Sequence, residues 1–66
     1  MDIVFNGSAE HLPDNASVYD LLVHAALHQR RVAVEVNGEI VPKSLHATHV
    51  LRDGDTVEIV HALGGG

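Results

Sequence analysis

Apolar residues recur at every second position in three short stretches of the chain, the pattern of β-strands that bury one face. One stretch lies near the N-terminus and ends in Asn6-Gly7, and another ends in Asn37-Gly38. Each pair predicts a two-residue hairpin turn, because Asn and Gly both tolerate positive φ. The predicted strands are residues 2–5 and 8–12, 32–36 and 39–41, and a fifth strand at residues 56–62.

Between the two hairpins the apolar period changes to that of an amphipathic helix. The apolar positions fall at i, i+3, i+4, i+7 and i+8, and they are Val18, Leu21, Leu22, Ala25 and Ala26. Ser17 precedes the first of them, and Asp20 follows Ser17 by three residues, which resembles a capping box. The sequence therefore predicts a helix that begins after Ser17, ends near His28 and lies on a sheet.

The order of elements is hairpin, helix, hairpin, an irregular connector at residues 43–51, and a last strand. This order predicts an α+β fold, a mixed five-stranded sheet with one main helix on one face. We expect residues 1–63 to form the domain, residues 64–66 to form a flexible glycine tail, and the fifth strand to lie centrally beside the first. The predicted core is Ile3, Phe5, Leu21, Leu22, Val34, Val41, Val57 and Ile59.

Size and charge narrow the classes of function. The 66 residues suffice for one small domain, and 45% of them are hydrophobic, enough to build a core. Four Lys and Arg stand against nine Asp and Glu, and no basic run occurs, which argues against nucleic acid or a membrane as partner. No apolar run approaches the roughly 20 residues of a membrane span, so we expect a cytoplasmic protein. The absence of Cys excludes disulfides, thiolate metal sites and thiol nucleophiles.

Histidines and aspartates supply the candidate side-chain sites. His24 and His28 lie four residues apart on the predicted helix, where two imidazoles could share a metal, but no third ligand is indicated. His46 and His49 fall in the connector, where a surface or hydrogen-bonded role is the simpler interpretation. Two aspartates flank Gly54, as is usual in a turn. We therefore predict no metal site and no catalytic side chain.

The end of the sequence is its most unusual feature. Ala62 and Leu63 lead from the last strand into Gly64, Gly65 and Gly66. A frayed terminus is one interpretation, because glycine-rich ends are often disordered. The other interpretation uses the carboxylate of Gly66, which becomes a good acyl donor once it is adenylated by ATP. Glycines would let such a carboxylate pass through a narrow channel, since no side chain obstructs it.

Several segments together resemble the ThiS family of thiamine-biosynthesis sulfur carriers, part of the ubiquitin-like β-grasp group. The resemblance rests on Asn6-Gly7, residues 36–42, residues 53–62 and Gly65-Gly66. It implies a β-grasp fold and a role as protein co-substrate rather than enzyme. It also implies that a ThiF-like activating enzyme, using ATP and Mg²⁺, adenylates Gly66, and that the resulting thiocarboxylate donates sulfur to a ThiG-like thiazole synthase. The carrier itself would bind no cofactor and would be monomeric when free.

The sheet face opposite the helix is the predicted docking surface for the activating enzyme. Residues flanking a two-residue turn share a face, so Glu35 and Ile40 lie opposite the core side. We expect this face to expose Val4, Ala33, Ile40 and Val60, with an acidic border of Glu35 and Glu58 and with Ala62 and Leu63 beside it. Exposed apolar residues are also common on surfaces without a partner.

Two further functions remain open at this level. A carrier of the molybdopterin-synthase small-subunit type would use the same tail. A non-catalytic β-grasp interaction module would have an idle tail. Family members commonly end in two glycines, so the third, Gly64, either lengthens the tether or has a role of its own.

Overall fold

The computed structural model describes residues 1–61. Its elements are β1 (Asp2–Phe5), β2 (Ser8–His11), α1 (Val18–His24), β3 (Val32–Val36), β4 (Glu39–Val41), a 3₁₀ helix (Lys43–Leu45) and β5 (Thr56–His61). Both predicted hairpins are confirmed. Asn6 and Gly7 have φ of 49° and 83°, and Asn37 and Gly38 have φ of 52° and 85°, the positive values that a two-residue hairpin turn needs at both positions.

The strands form one mixed sheet in the order β2-β1-β5-β3-β4. β1 and β5 run parallel, and the other neighbours are antiparallel. The predicted α+β, β-grasp architecture with a central fifth strand is therefore confirmed. β5 is described as far as His61, so Ala62, the predicted last residue of this strand, lies outside the described residues. The same is true of the proposed boundary between the domain and the glycine tail.

The helix is shorter than its apolar pattern predicts, and the expected end near His28 is wrong. α1 ends at His24, and Ala26 takes the left-handed conformation with φ of 59°. The Ala26 amide donates to the Val23 carbonyl at 3.0 Å, and the Leu27 amide donates to the Leu22 carbonyl at 2.7 Å. This pair of bonds is a Schellman motif, which ends a helix. Leu27 then packs against the core instead of continuing the helix.

The connector supplies hydrogen-bond acceptors for the start of α1. The amides of Val18 and Tyr19 donate to the carbonyls of His49 and His46, both at 2.9 Å. The Asp20 amide donates to the Ser17 hydroxyl, and the Asp20 carboxylate accepts from the Ser17 amide, so the predicted capping box is confirmed. Because the first amides of a helix lack partners within it, these contacts fix α1 to the connector.

The core lies between the sheet and the layer formed by α1 and the connector. Its buried residues are Ile3, Leu12, Ala16, Val18, Leu21, Leu22, Val34, Val36, Val41, Leu51 and Val57. Phe5 and Ile59, predicted as core, are only partly buried, because a helix of seven residues is about 10 Å long and covers only part of the sheet. Leu51 of the connector is 2% exposed and donates its amide to the Ala16 carbonyl, so part of the core comes from outside the regular elements.

Candidate functional site

The strand that precedes the glycine tail is held on both sides by asparagine side chains. β1 is aligned with β5 through Val4 and Phe5, and the backbone contact ends where the Asn6 amide donates to the Val57 carbonyl at 2.9 Å, because the chain then turns. The Asn6 side chain continues the contact, since its Oδ1 accepts a hydrogen bond from the Ile59 amide at 2.8 Å. Asn6 therefore shapes the first turn and also replaces a missing backbone partner of β5.

Asn37 performs the same two tasks on the other side. Its Oδ1 accepts from the Thr56 amide at 2.9 Å, and its Nδ2 donates to Asp55 Oδ1 at 3.0 Å. The hairpin pattern predicted a turn role alone for both asparagines. The signal that could have revealed more is the choice of Asn at both turns, because Gly allows the turn but has no side chain to bond β5.

The outer face, meaning the sheet face opposite α1, carries the predicted docking residues. Val4 is 39% exposed, Ile40 60% and Val60 52%, and Ala33 is also exposed. The prediction that these residues face solvent is therefore confirmed.

The acidic pair on the outer face, Glu35 and Glu58, does not form the predicted border. Glu35 and Glu58 are directly opposite each other on β3 and β5, with Ile40 opposite Glu35 on β4. Glu58 lies between Thr56, which is paired with Val4, and Val60, which is paired with Ala33. The glutamates therefore separate Val4 from the Ala33–Val60 pair instead of forming a border. The sequence alone could not show this, because it depends on the register between β3 and β5.

The end of β5 lies beside the start of β3, where Val32 is paired with His61. The outer-face pair Ala33 and Val60 is therefore adjacent to the point at which the chain continues toward the tail. The predicted site residues Ala62, Leu63, Gly64, Gly65 and Gly66 lie outside the described residues.

The histidines do not assemble into a ligand set. His24 and His28 do not lie on one helix as predicted, because α1 ends at His24. His24 Nε2 lies 3.5 Å from Glu10 Oε2, whereas the His28 ring packs edge-on against the Tyr19 ring. His46 is buried, and its Nε2 lies 3.0 Å from the Val41 carbonyl oxygen. Of the two roles predicted for this residue, it therefore has the hydrogen-bonded one. Among residues 1–61, no group of three or more potential ligands could hold a metal ion.

The aspartates near Gly54 organise the turn before β5, as predicted. Asp53 Oδ1 accepts from the Asp2 amide at 2.7 Å, and Asp55 Oδ2 accepts from the Arg52 amide at 2.8 Å. Between β1 and the edge strand β2, a hydrogen bond with His11 at 2.9 Å lowers the pKa of the Asp2 carboxyl below its ordinary value. These carboxylates have structural partners and do not converge on a cleft.

Comparison with known proteins decides the family. The model of the ThiS family matches residues 2–66, nearly the whole chain. The chain belongs to the ThiS family. A sulfur carrier protein of this family from Escherichia coli is 32% identical over 66 residues, which span the full length of both proteins.

The fold agrees with a solved member of the ThiS family. A crystal structure of the thiamine biosynthesis protein ThiS from Geobacter metallireducens superposes with a TM-score of 0.86 at 30% identity and covers 100% of both chains. A thiazole synthase from Paramagnetospirillum magneticum is 44% identical over 66 residues, but the chain spans only 20% of that protein's length. No helix among residues 1–61 combines the length and the apolar character needed to cross a bilayer.

Proposed function

We propose that the chain is a sulfur carrier of thiamine biosynthesis that delivers sulfur from the carboxylate of Gly66. The observation that carries this proposal is the family match over residues 2–66, which extends from the fold into the glycines. The full-length likeness to a sulfur carrier protein supports it and favours the thiamine role over the molybdopterin alternative. We also propose that the chain acts in the cytoplasm, where ATP for this activation is available.

The proposed reaction has two steps, both in the active site of a ThiF-like enzyme. In the first, a carboxylate oxygen of Gly66 attacks the α-phosphorus of ATP and releases pyrophosphate. In the second, a hydrosulfide equivalent adds to the acyl carbon and AMP leaves, so that a C–S bond replaces the C–O bond to AMP and a proton is released. The partner supplies the ATP contacts, the Mg²⁺ and the sulfur relay, while the chain supplies the carboxylate.

The outer face is the proposed docking surface for the activating enzyme. Val60 and Ala33 lie next to the end of β5, so a partner that takes up the tail would cover them first. Ile40 extends the apolar surface on β4, and Glu35 and Glu58 place negative charge in its middle. A partner surface with an apolar contact and a central basic group would complement this face.

Thiazole synthase is the proposed acceptor of the sulfur. A domain similar to the whole chain forms 20% of the length of the Paramagnetospirillum magneticum thiazole synthase. Two proteins that act in sequence benefit from being joined, because a linker raises their effective concentration. The joined arrangement therefore supports a ThiG-like acceptor for this chain.

Intact-mass measurement tests the chemistry. Incubation of the 66-residue chain with an activating enzyme, MgATP and a sulfur source is expected to add about 16 Da, the exchange of one oxygen for one sulfur. Deleting Gly66, or adding one residue after it, is expected to abolish the change, because a 1 Å misplacement can cost about 10²-fold in rate. Alanine variants of His24, His28, His46 and His49 serve as controls and should keep it. Equal thiolation of the extended chain would refute the proposal.

A pair of valine variants tests the docking surface. Val60→Asp adds a charge to the outer face, whereas Val23→Asp adds the same charge to the exposed side of α1, where Val23 is 45% exposed. We expect Val60→Asp to weaken binding to the activating enzyme at least tenfold, and Val23→Asp to change it less than twofold. Circular dichroism checks that both variants fold. Equal affinities of the two variants would remove the outer face from the proposal.

A further inference from the structure

Positive charge is concentrated around one cavity of about 340 Å³ between α1, the start of β3 and the 3₁₀ helix. Three of the four Lys and Arg in the chain line it, namely Arg30, Arg31 and Lys43. No Asp or Glu among the described residues does so. The fourth, Arg52, lies elsewhere, so the rest of this acidic chain holds one Lys or Arg against nine Asp and Glu. We call this feature the basic cavity.

The walls of the basic cavity strengthen its electrostatic effect. Buried Leu22, partly buried Val32 and Tyr19 also line it, so part of the lining is apolar. An ionic contact is stronger beside an apolar lining than in open water, because the effective dielectric constant is lower. Arg31 already has an interaction partner, whereas Arg30 and Lys43 form no ion pair with a described residue. The charge offered to a ligand therefore comes mainly from Arg30 and Lys43.

The basic cavity also lies beside the end of β5. Val32, which lines it, is paired with His61, the last described residue, and paired strands are about 4.8 Å apart. Five residues follow His61, and even fully extended they span only about 17 Å. A partner that accepts the carboxylate of Gly66 would therefore bring its own surface close to this cavity.

We propose that the basic cavity receives an acidic side chain, Asp or Glu, from a loop of the protein partner that takes up the tail. This proposal rests on the proposed function, because it uses the approach of a partner to the tail. Arg guanidinium groups bind carboxylates through paired hydrogen bonds, and the ammonium of Lys43 adds a second charge. Together with the acidic pair Glu35 and Glu58 on the outer face, the basic cavity would allow one docking orientation and oppose the reverse one.

An NMR titration of the ¹⁵N-labelled chain with a hexaglutamate peptide tests the basic cavity. We expect saturable shifts of the amide signals of Arg30, Val32 and Ala47, and no such shifts with a hexaglutamine peptide. Arg30→Glu is expected to weaken hexaglutamate binding at least fivefold. Arg52→Glu is the matched control, because it makes the same substitution away from the cavity, and it should change binding less than twofold. Lys43→Glu provides an independent second variant, with an expected loss at least as large as that of Arg30→Glu.

Three results would overturn the proposal. One is an absence of localised shifts with hexaglutamate. Another is an equal loss for Arg30→Glu and Arg52→Glu, which would mean that only net charge matters. The last is tighter binding of inorganic phosphate than of hexaglutamate, which would make the cavity a small-anion site. Because the titration uses neither activating enzyme nor ATP, its outcome is independent of whether Gly66 is thiolated.

Discussion

Replacing Ala26 by glycine is expected to stabilise the fold. Ala26 occupies the left-handed position of the Schellman motif, with φ of 59°, where a side chain costs about 1–2 kcal/mol. Glycine removes this cost, but it also gives the unfolded chain more conformational freedom, worth about 0.5–1 kcal/mol. Ala26 is exposed, so no packing is lost, and the hydrogen bond from its amide to the Val23 carbonyl is kept. The net expectation for Ala26→Gly is about 0.5–1 kcal/mol of added stability.

Thermal and urea unfolding followed by circular dichroism measure this change. For a domain of this size, 1 kcal/mol corresponds to about 4–8 °C in Tm, so we expect a rise of about 2–8 °C with an unchanged urea m-value. Ala9→Gly is the control, because Ala9 is also exposed but lies in β2, where glycine has no strain to relieve. It should lower Tm by a similar amount. A decrease in Tm for Ala26→Gly would refute the assigned end of α1.

Three further predictions concern the sheet. Asn6→Gly keeps the turn but removes the acceptor for the Ile59 amide, so urea unfolding should find a loss of about 0.5–1.5 kcal/mol. His11→Ala should raise the pKa of Asp2 toward its ordinary value in an NMR titration of the carboxyl carbon. The pKa of Asp2 is lower in the folded chain than in the unfolded chain, so ionised Asp2 stabilises the fold at pH values above the unfolded pKa. This stabilisation is lost as the pH falls through the folded pKa, and His11→Ala should lack this dependence of stability on acidic pH. Glu58→Lys replaces a like-charge cross-strand pair with an attractive one, so it should add about 0.2–1 kcal/mol to the unfolding free energy while weakening binding to the activating enzyme.

The parts of the fold that depend on local backbone preference could be predicted from the sequence. Asn-Gly at both turns sets positive φ directly, which is why both hairpins have the predicted register. The end of α1 could not be predicted, because a left-handed alanine is favourable only when Leu27 gains contact with the core. Leu51 was missed for a related reason, since it is buried from an irregular connector in which apolar residues follow no period.

The sequence likewise predicted only the part of the candidate site that depends on local alternation. Alternation along β3 and β5 correctly assigned Ala33 and Val60 to the exposed face. The opposition of Glu35 and Glu58 could not be predicted, because it depends on the pairing of residues more than twenty positions apart, which no local pattern contains. The basic cavity could not be predicted, because Arg30 and Lys43 are far apart in the sequence and do not form a basic run.

The central place of β5 determines when a newly made chain can fold. β1 and β3 have no direct pairing, so the two hairpins stay separate until the ribosome has released residues 56–61. A chain cut short before Thr56 would have only two-stranded hairpins, which are marginally stable in water, and cellular proteases remove such unfolded chains. Folding therefore acts as a check on translation, because every folded copy has been made at least as far as the strand that leads into the tail. Copies cut short before Thr56 would therefore not persist to compete for the proposed activating enzyme.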